Sequence, residues 1–206
     1  MAANSTASHW DDTYAAGETT RSWFQQHPGM SLRMFDAAGV QADASVIDVG
    51  GGASPLAGAL FERGFGDVTV LDISAAGMAV AQRSLGARAK QVSWLAADVR
   101  TWVPERRYAV WHDRAVFHFL ISAEDRRQYV RTLEAATEPG TVAVFGLFAP
   151  DGPQRCSGLP VARYGAQDLA GELGSGWKLI SQDREEHRTP AGAIQPFTWA
   201  ALRRQS

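Results

Sequence analysis

One cysteine, Cys156, is all that the 206-residue chain contains. An intramolecular disulfide is therefore excluded, and so is a metal cluster built from several cysteines of one chain. A reducing compartment is the default expectation. No apolar run approaches the ~20 residues of a membrane-spanning helix. The first residues, MAANSTASHWDDTY, lack the basic stretch and apolar core of a secretory signal. These absences lead to the expectation of a cytoplasmic protein with no membrane contact. Neither charge dominates: 20 Lys and Arg stand against 22 Asp and Glu, a formal net charge of −2. No global basic field draws the chain to nucleic acid, which is not an expected partner. Internal repeats and low-complexity blocks are missing too. An apolar content of 45% suits one sizeable core, and the length is short for two domains. A single domain over 1–206 is expected, with a helical preface at 1–44 before a core at 45–206.

In the preface, Ser8 to Ala16 reads as a short helix with Trp10 and Tyr14 at i, i+4 on one face. RSWFQQHPG reads as a loop carrying Trp23 and Phe24, and Pro28 to Ala38 as a second helix stopped by Gly39. From Ser45 onward strands and helices alternate. SVIDV, DVTVLDI, QVSWLAADV, YAVWHDRA and TVAVFGLF read as strands. SPLAGALFERG, SAAGMAVAQRSLG and SAEDRRQYVRTLEAAT read as the helices between them. Ser54 is a candidate N-cap with Pro55 at the first helical position, and Ser122 with Asp125 resembles a capping box. A long loop, Ala149 to Gly165, precedes a short helix in AQDLAGELG. WKLISQDREEHR and FTWAALRR then close the chain as an antiparallel hairpin. Alternation of this kind predicts an α/β fold: a Rossmann-like, doubly wound parallel sheet with helices on both faces. The terminal hairpin departs from that pattern.

The most informative stretch is VIDVGGGASPLAG. A strand that runs into glycines and then a helix makes an anion or nucleotide site, because glycine admits close backbone approach and the helix start offers free N–H groups. The dinucleotide pattern GxGxxG is only partly met: Gly50 and Gly52 fit, and Pro55 stands at the third position. Asp48 at the mouth of the loop is unfavourable for a pyrophosphate and suits a ligand with a positive end. Asp72 ends the second strand and Asp98 the third, in phase with it. At the carboxyl ends of parallel strands Asp72 can accept from ribose hydroxyls, and Asp98 from an adenine amino group with Val99 packed nearby. Together they describe a nucleoside with a cationic substituent.

VIDVGGGAS, VLDIS and AADV in that order resemble the class I S-adenosylmethionine-dependent methyltransferases, over roughly Ser45 to Arg203. The resemblance implies a seven-stranded sheet with an antiparallel last strand, S-adenosylmethionine as cofactor and S-adenosylhomocysteine as product. It implies that Asp48 with Gly50, Gly51 and Gly52 serves the methionine part, that Asp72 with Ile73 holds the ribose, and that Asp98 and Val99 flank the adenine. Asp113, in WHDRAVFHF, would lie beside the methionine amino group or the acceptor. HWDDTYAAGETTRSWFQ is similar to the start of methyltransferases that modify lysines in elongation factor and citrate synthase, as is Asp113–Arg114 to their fourth-strand motif. APDGPQRCSGLPVARY is similar to bacterial relatives with unassigned acceptors. Trp10, Tyr14 and Trp23 are then candidates for a cover over the cofactor.

Methyl transfer by in-line attack is expected, with Asp113, His118 and Tyr164 as acceptor-side catalytic candidates, His118 equally readable as a hydrogen-bonded residue at a helix start, and no metal. A protein lysine stands ahead of a small thiol, carboxylate or amine as acceptor, and a non-catalytic cofactor-binding module is the further alternative. The fourth-strand motif lacks the Asn/Asp-Pro-Pro-aromatic pattern of enzymes that methylate planar nitrogens, which lowers nucleic acid again. Plainer roles compete. Asp48, Asp72 and Asp98 can each cap a helix or turn, and the aromatics can be packing. His112 is expected to be structural within its strand, His187 exposed, and Cys156 a neutral buried thiol. Arg163 in the long loop can bind an acidic acceptor or pair on the surface. The runs EDRR and DREEHR read as solvated faces.

Overall fold

Runs rich in β-branched residues become strands, and VIDV, VTVLD and VAVFGLF are buried along their whole length, as parallel strands covered on both faces must be. The computed structural model describes residues 2–15 and 21–206. The chain runs α1 (Ala2–Ala15), α2 (Gly29–Ala37), β1 (Val46–Val49), α3 (Leu56–Glu62), β2 (Val68–Asp72), α4 (Ala75–Leu85), β3 (Val92–Ala96), β4 (Val110–Arg114), α5 (Ala123–Ala135) and β5 (Val142–Phe148). It continues with β6 (Arg155–Cys156), β7 (Leu159–Pro160), α6 (Ala166–Leu173), β8 (Trp177–Arg188) and β9 (Ile194–Arg204).

Seven strands form one sheet in the order β3-β2-β1-β4-β5-β9-β8. The first five are parallel, and β9 is antiparallel to both β5 and β8. This is the predicted doubly wound, Rossmann-like sheet with an antiparallel last strand. Alternation along the strands feeds two cores. Val46, Val68 and Val70 pack with Leu32, Leu60 and Met78 from α2, α3 and α4. Ile47, Val49 and Leu71 pack with Tyr129, Leu133 and Leu169 from α5 and α6. Strand order reverses between β1 and β4, where register places Val49 opposite Leu71 on one side and Asp113 on the other. That switch point is where open sheets of this kind bind ligands.

Several local expectations shift. The first helix starts at Ala2 and not Ser8, and its predicted end at Ala16 lies outside the described residues. Pro55 occupies the N-cap position of α3, while Ser54 Oγ still accepts from Leu56 N at 3.1 Å. Ser122 Oγ accepts from Asp125 N at 3.0 Å, but the Asp125 carboxylate takes the Ser122 hydroxyl and Arg100 instead of closing the box on a backbone N–H. β3 ends at Ala96, so Asp98 sits in the following turn and not at the strand end. The predicted loop Ala149–Gly165 contains the β6–β7 hairpin, which turns on Ser157 (φ 51) and Gly158 (φ 77). Two left-handed residues in sequence give the turn twist that a two-residue hairpin needs.

His187 is buried, against expectation. Its Nε2 meets the Ser22 carbonyl at 2.8 Å and its ring stands edge-on to Phe197. The loop after α1 covers this end of β8, so DREEHR has an inward side: Asp183 pairs with Arg33 at 2.7 Å, and Glu185 accepts from Trp199 Nε1 at 2.8 Å. Among the described residues no helix is long and apolar enough to cross a membrane, and no His, Cys, Asp and Glu cluster could hold a metal ion.

Candidate functional site

A cavity of about 360 Å³ opens at the carboxyl ends of β1, β2 and β4, within the size range of small-molecule sites. Its floor includes Val49, Gly50, Asp72 and Ile73, with Asp98 and Val99 to one side. Trp10, Tyr14 and Trp23 line it from above.

Glycine is obligatory in the β1–α3 turn because the space for side chains is already taken. Gly50 has φ +68, and a Cβ there would stand 2.0 Å from Val116 Cγ2. At Gly51 a Cβ would meet Asp48 Oδ2 at 2.6 Å, and at Gly52 it would meet the Tyr14 hydroxyl at 2.5 Å and Asp72 Oδ2 at 2.9 Å. Gly50 lines the cavity, whereas Gly51 and Gly52 let the loop press against the two acids.

Asp72 is buried and accepts Gly52 N–H at 2.8 Å and Ser74 N–H at 2.7 Å, one on each oxygen. Burial raises its pKa from 3.8 to about 6, and the neighbouring Asp48 and Asp11 carboxylates push the same way. Two backbone donors leave lone pairs on both oxygens, so Asp72 can still accept from a ligand. Asp48 lies deeper. Its Oδ1 meets His112 Nδ1 at 2.7 Å, and His112 Nε2 meets Ser31 Oγ at 2.9 Å. His112 thus has the structural place expected of it. Asp48 Oδ2 is buried with no partner among the described residues. A lone carboxylate oxygen behind a glycine loop calls for a cationic or N–H donor.

Asp98 is held by Arg100, whose Nε and Nη2 reach its carboxylate at 3.0 and 2.6 Å. The contact with Arg100 outweighs partial burial and keeps Asp98 below the usual carboxylate range. Arg100 also reaches Asp125 at 2.7 Å, tying the cavity rim to α5. No sequence signal pointed to that bridge, since its partners lie 25 residues apart.

The aromatic cover is a packed set. Trp10 stands edge-on to Trp23 and Phe119 at 5.9 and 5.1 Å between centroids, and Tyr14 to Trp23 at 6.3 Å. Tyr14 lies so close over α4 that a Cβ at Gly77 would meet its ring at 2.6 Å. Burial above all, with Asp72 beside it, holds its hydroxyl well above the ordinary range and therefore neutral. Asp11, to which no sequence motif drew attention, anchors α1: its Oδ1 accepts Ser74 Oγ–H at 2.6 Å and Ala76 N–H at 3.3 Å at the start of α4.

None of the three predicted catalytic residues lines the cavity. Asp113 is fully buried and accepts from Val116 N at 2.9 Å, Phe117 N at 3.1 Å and the Tyr129 hydroxyl at 2.5 Å. It closes the turn after β4 and faces the α5 core. His118 is fully buried against Phe119 and Phe148, with both ring nitrogens unpartnered among the described residues. Burial pulls its pKa down to about 3, so it stays neutral. Tyr164 packs on Phe117 in the same core. Arg163 donates to the Gly152 carbonyl at 3.3 Å. Cys156 does line the cavity, its thiol pushed up to about 11 by burial and hence neutral at pH 7. Arg114, the last residue of β4, also lines the cavity, a placement that the sequence did not reveal.

Residues 46–140 match the family model of a methyltransferase domain. No curated protein sequence matches the chain. Among solved structures, a methyltransferase dependent on S-adenosylmethionine from Anabaena variabilis is 15% identical with a TM-score of 0.78, over 100% of this chain and 96% of that one. A protein solved in work on the conversion of a disulfide bond into a thioacetal group during echinomycin biosynthesis is 22% identical, TM-score 0.76, over 97% and 92%. The 1,6-didemethyltoxoflavin-N1-methyltransferase of Burkholderia thailandensis, with its substrate and S-adenosylhomocysteine bound, is 18% identical, TM-score 0.66, over 98% and 90%. At these identities the likeness is one of fold.

Proposed function

We infer that this chain, whose residues 46–140 match a methyltransferase-domain model, takes S-adenosylmethionine in the cavity and methylates a small-molecule acceptor. The observation that carries the cofactor is Asp72 on the cavity wall beside the glycine turn, each oxygen taking one backbone N–H and keeping lone pairs to spare, with the unpartnered Asp48 Oδ2 buried behind that turn. A ligand with an ammonium or sulfonium charge and ribose hydroxyls answers both. Asp72 would accept the ribose hydroxyls, Asp48 with Gly50, Gly51 and Gly52 would serve the amino-acid end, and Ile73, Asp98 and Val99 would border the adenine. When bound, the cofactor supplies a methyl group already activated on a positive sulfur.

The chain's own task is then alignment and the exclusion of water. The N-terminal segment 1–44 supplies a cover through Trp10, Tyr14 and Trp23, fastened to α4 by Asp11. Neutral His118 and the enclosed Asp113 and Tyr164 act as framework, so the acceptor arrives already nucleophilic or loses its proton to solvent. A small molecule is favoured over a protein lysine because Arg114 and apolar groups line the acceptor side of the cavity, and a guanidinium repels an ammonium.

The test is transfer of labelled methyl from S-adenosylmethionine into a cell lysate split by a low-molecular-weight filter. Label in the small-molecule fraction is expected. Label in protein alone supports the lysine reading, and binding without turnover in either fraction supports the binding module.

A further inference from the structure

Arg114 lines the cavity without a contact ion pair among the described residues. Its side chain lines the wall near Cys156, Leu159 and Pro160. Its Nη1 donates to the Trp23 carbonyl at 3.0 Å, and its guanidinium carbon stands 4.9 Å from the Phe197 ring centroid. These two contacts fix the plane of the group without neutralising it. Nε and Nη2 are buried and have no hydrogen-bond partner among the described residues.

Two carboxylates lend their field to Arg114 without touching its fork among the described residues. Glu185 accepts from Trp199 Nε1 and Gln25 Nε2 at 2.8 and 3.2 Å, and Asp48 Oδ1 is held by His112. The two nearby imidazoles, His118 and His187, are kept neutral by burial first and by the Arg114 charge second. Burial pulls Arg114 itself down to about 10, which leaves it charged at neutral pH. Buried guanidinium N–H groups that make no hydrogen bond are costly even where carboxylates lend their field from a distance. Nε and Nη2 form one edge of the fork, and that edge fits a carboxylate through two parallel hydrogen bonds.

We propose that the methyl acceptor carries a carboxylate, received by the Nε and Nη2 edge of Arg114, with its remaining body in the apolar space between Phe119, Cys156 and Leu159. This inference rests on the methyltransferase reading and names the substrate class of the same site. The edge is closed to solvent as the group now stands, so seating the anion requires the guanidinium to turn toward the cavity that its side chain already lines. The neighbours of Arg114 come from β9, from the β6–β7 hairpin and from the Trp23 loop. Asp72, Ile73 and Val99 lie across β1 on the other side of the strand-order switch. Its charge therefore serves the acceptor and not the nucleoside.

The test titrates the full-length protein, with and without saturating S-adenosylhomocysteine, with three near-isosteric probes: phenylacetate, phenylacetamide and phenethylamine. Binding is followed by chemical-shift changes. Phenylacetate is expected to bind at least about tenfold more tightly than the amide, and the amine not at all. In Arg114→Gln the preference should collapse to within about twofold while S-adenosylhomocysteine affinity holds. Arg114→Lys, which keeps the charge but not the fork, should restore part of it. Equal affinity for acid and amide in the wild type, no phenylacetate binding at millimolar concentration, or a preference that survives in Arg114→Gln overturns the proposal. So does a loss of S-adenosylhomocysteine affinity in that variant without carboxylate selectivity, which would assign Arg114 to the cofactor's own carboxylate. Failure of the wild type to bind S-adenosylhomocysteine, with phenylacetate selectivity intact, contradicts the cofactor reading and leaves the anion site standing.

Discussion

Asp72 ends β2 and Asp113 lies one residue before the end of β4, on the two strands that flank β1. Both are buried, both accept backbone N–H groups from the turn after their strand, and burial raises both from 3.8 to about 6. One difference separates them. Asp113 takes a third donor, the Tyr129 hydroxyl, which also accepts from Trp111 Nε1 at 2.8 Å. That network turns the acid into the α5 core. Asp72 has no such donor and stays on the cavity wall. An acid at a strand end is thus left open to the cavity or closed into a turn according to who completes its hydrogen bonding, not according to its pKa.

The largest expected effect falls on binding through the first acid. Asp72→Ala should weaken S-adenosylhomocysteine by more than about a hundredfold, since charge-assisted hydrogen bonds to two hydroxyls are lost. A titration showing wild-type affinity would remove Asp72 from the site. Asp113→Ala should do the opposite. It strands the Tyr129 hydroxyl and two backbone N–H groups, lowering unfolding stability by about 3 kcal/mol, with ligand affinity unchanged in the folded fraction. Denaturant curves read beside calorimetry separate the two outcomes.

pH sharpens the contrast. A carboxyl whose folded pKa lies above its unfolded value holds its proton more tightly when folded, so both acids contribute stability below about pH 4 that is lost as pH rises toward 6. Only Asp72 should couple that proton to the ligand. S-adenosylhomocysteine affinity should fall below pH 6, approaching tenfold per unit, and Asp113→Asn should keep this profile while losing its own part of the stability change. A pH-independent affinity from 5 to 7 would contradict the assignment of Asp72.

Smaller effects belong to the cover. Gly77→Ala gains about 1 kcal/mol of helix propensity in α4 but drives a Cβ into the Tyr14 ring. Ligand affinity should drop about tenfold, and the loss should vanish when Tyr14→Ala is already present. Asp11→Ala should cost least, about 1 kcal/mol, seen as faster hydrogen exchange in α1 with the core unaffected.

The sheet was legible because the central parallel strands are announced locally: Val46 to Val49 and Val142 to Phe148 are apolar apart from Asp48 and Gly146. The meeting of Gly50 and Asp72 at the strand ends was legible for the same reason, since each is placed by one strand and its turn. What stayed hidden depends on partners distant in the chain. Tyr129 claims Asp113 from 16 residues away, Asp11 caps α4 across 63, and the Ser22 carbonyl buries His187 across 165. Arg114 was visible in the sequence, but its unpartnered Nε and Nη2 edge is a property of the folded neighbourhood.

A crystal structure with S-adenosylhomocysteine bears most directly on the cofactor site. The ribose hydroxyls are expected within hydrogen-bond distance of Asp72, the adenine bordered by Ile73 and Val99, and Asp113 still bonded to Tyr129. A ligand bound away from the ends of β1 and β2, or an Asp113 that leaves Tyr129 to contact it, would contradict the division of roles between the two acids.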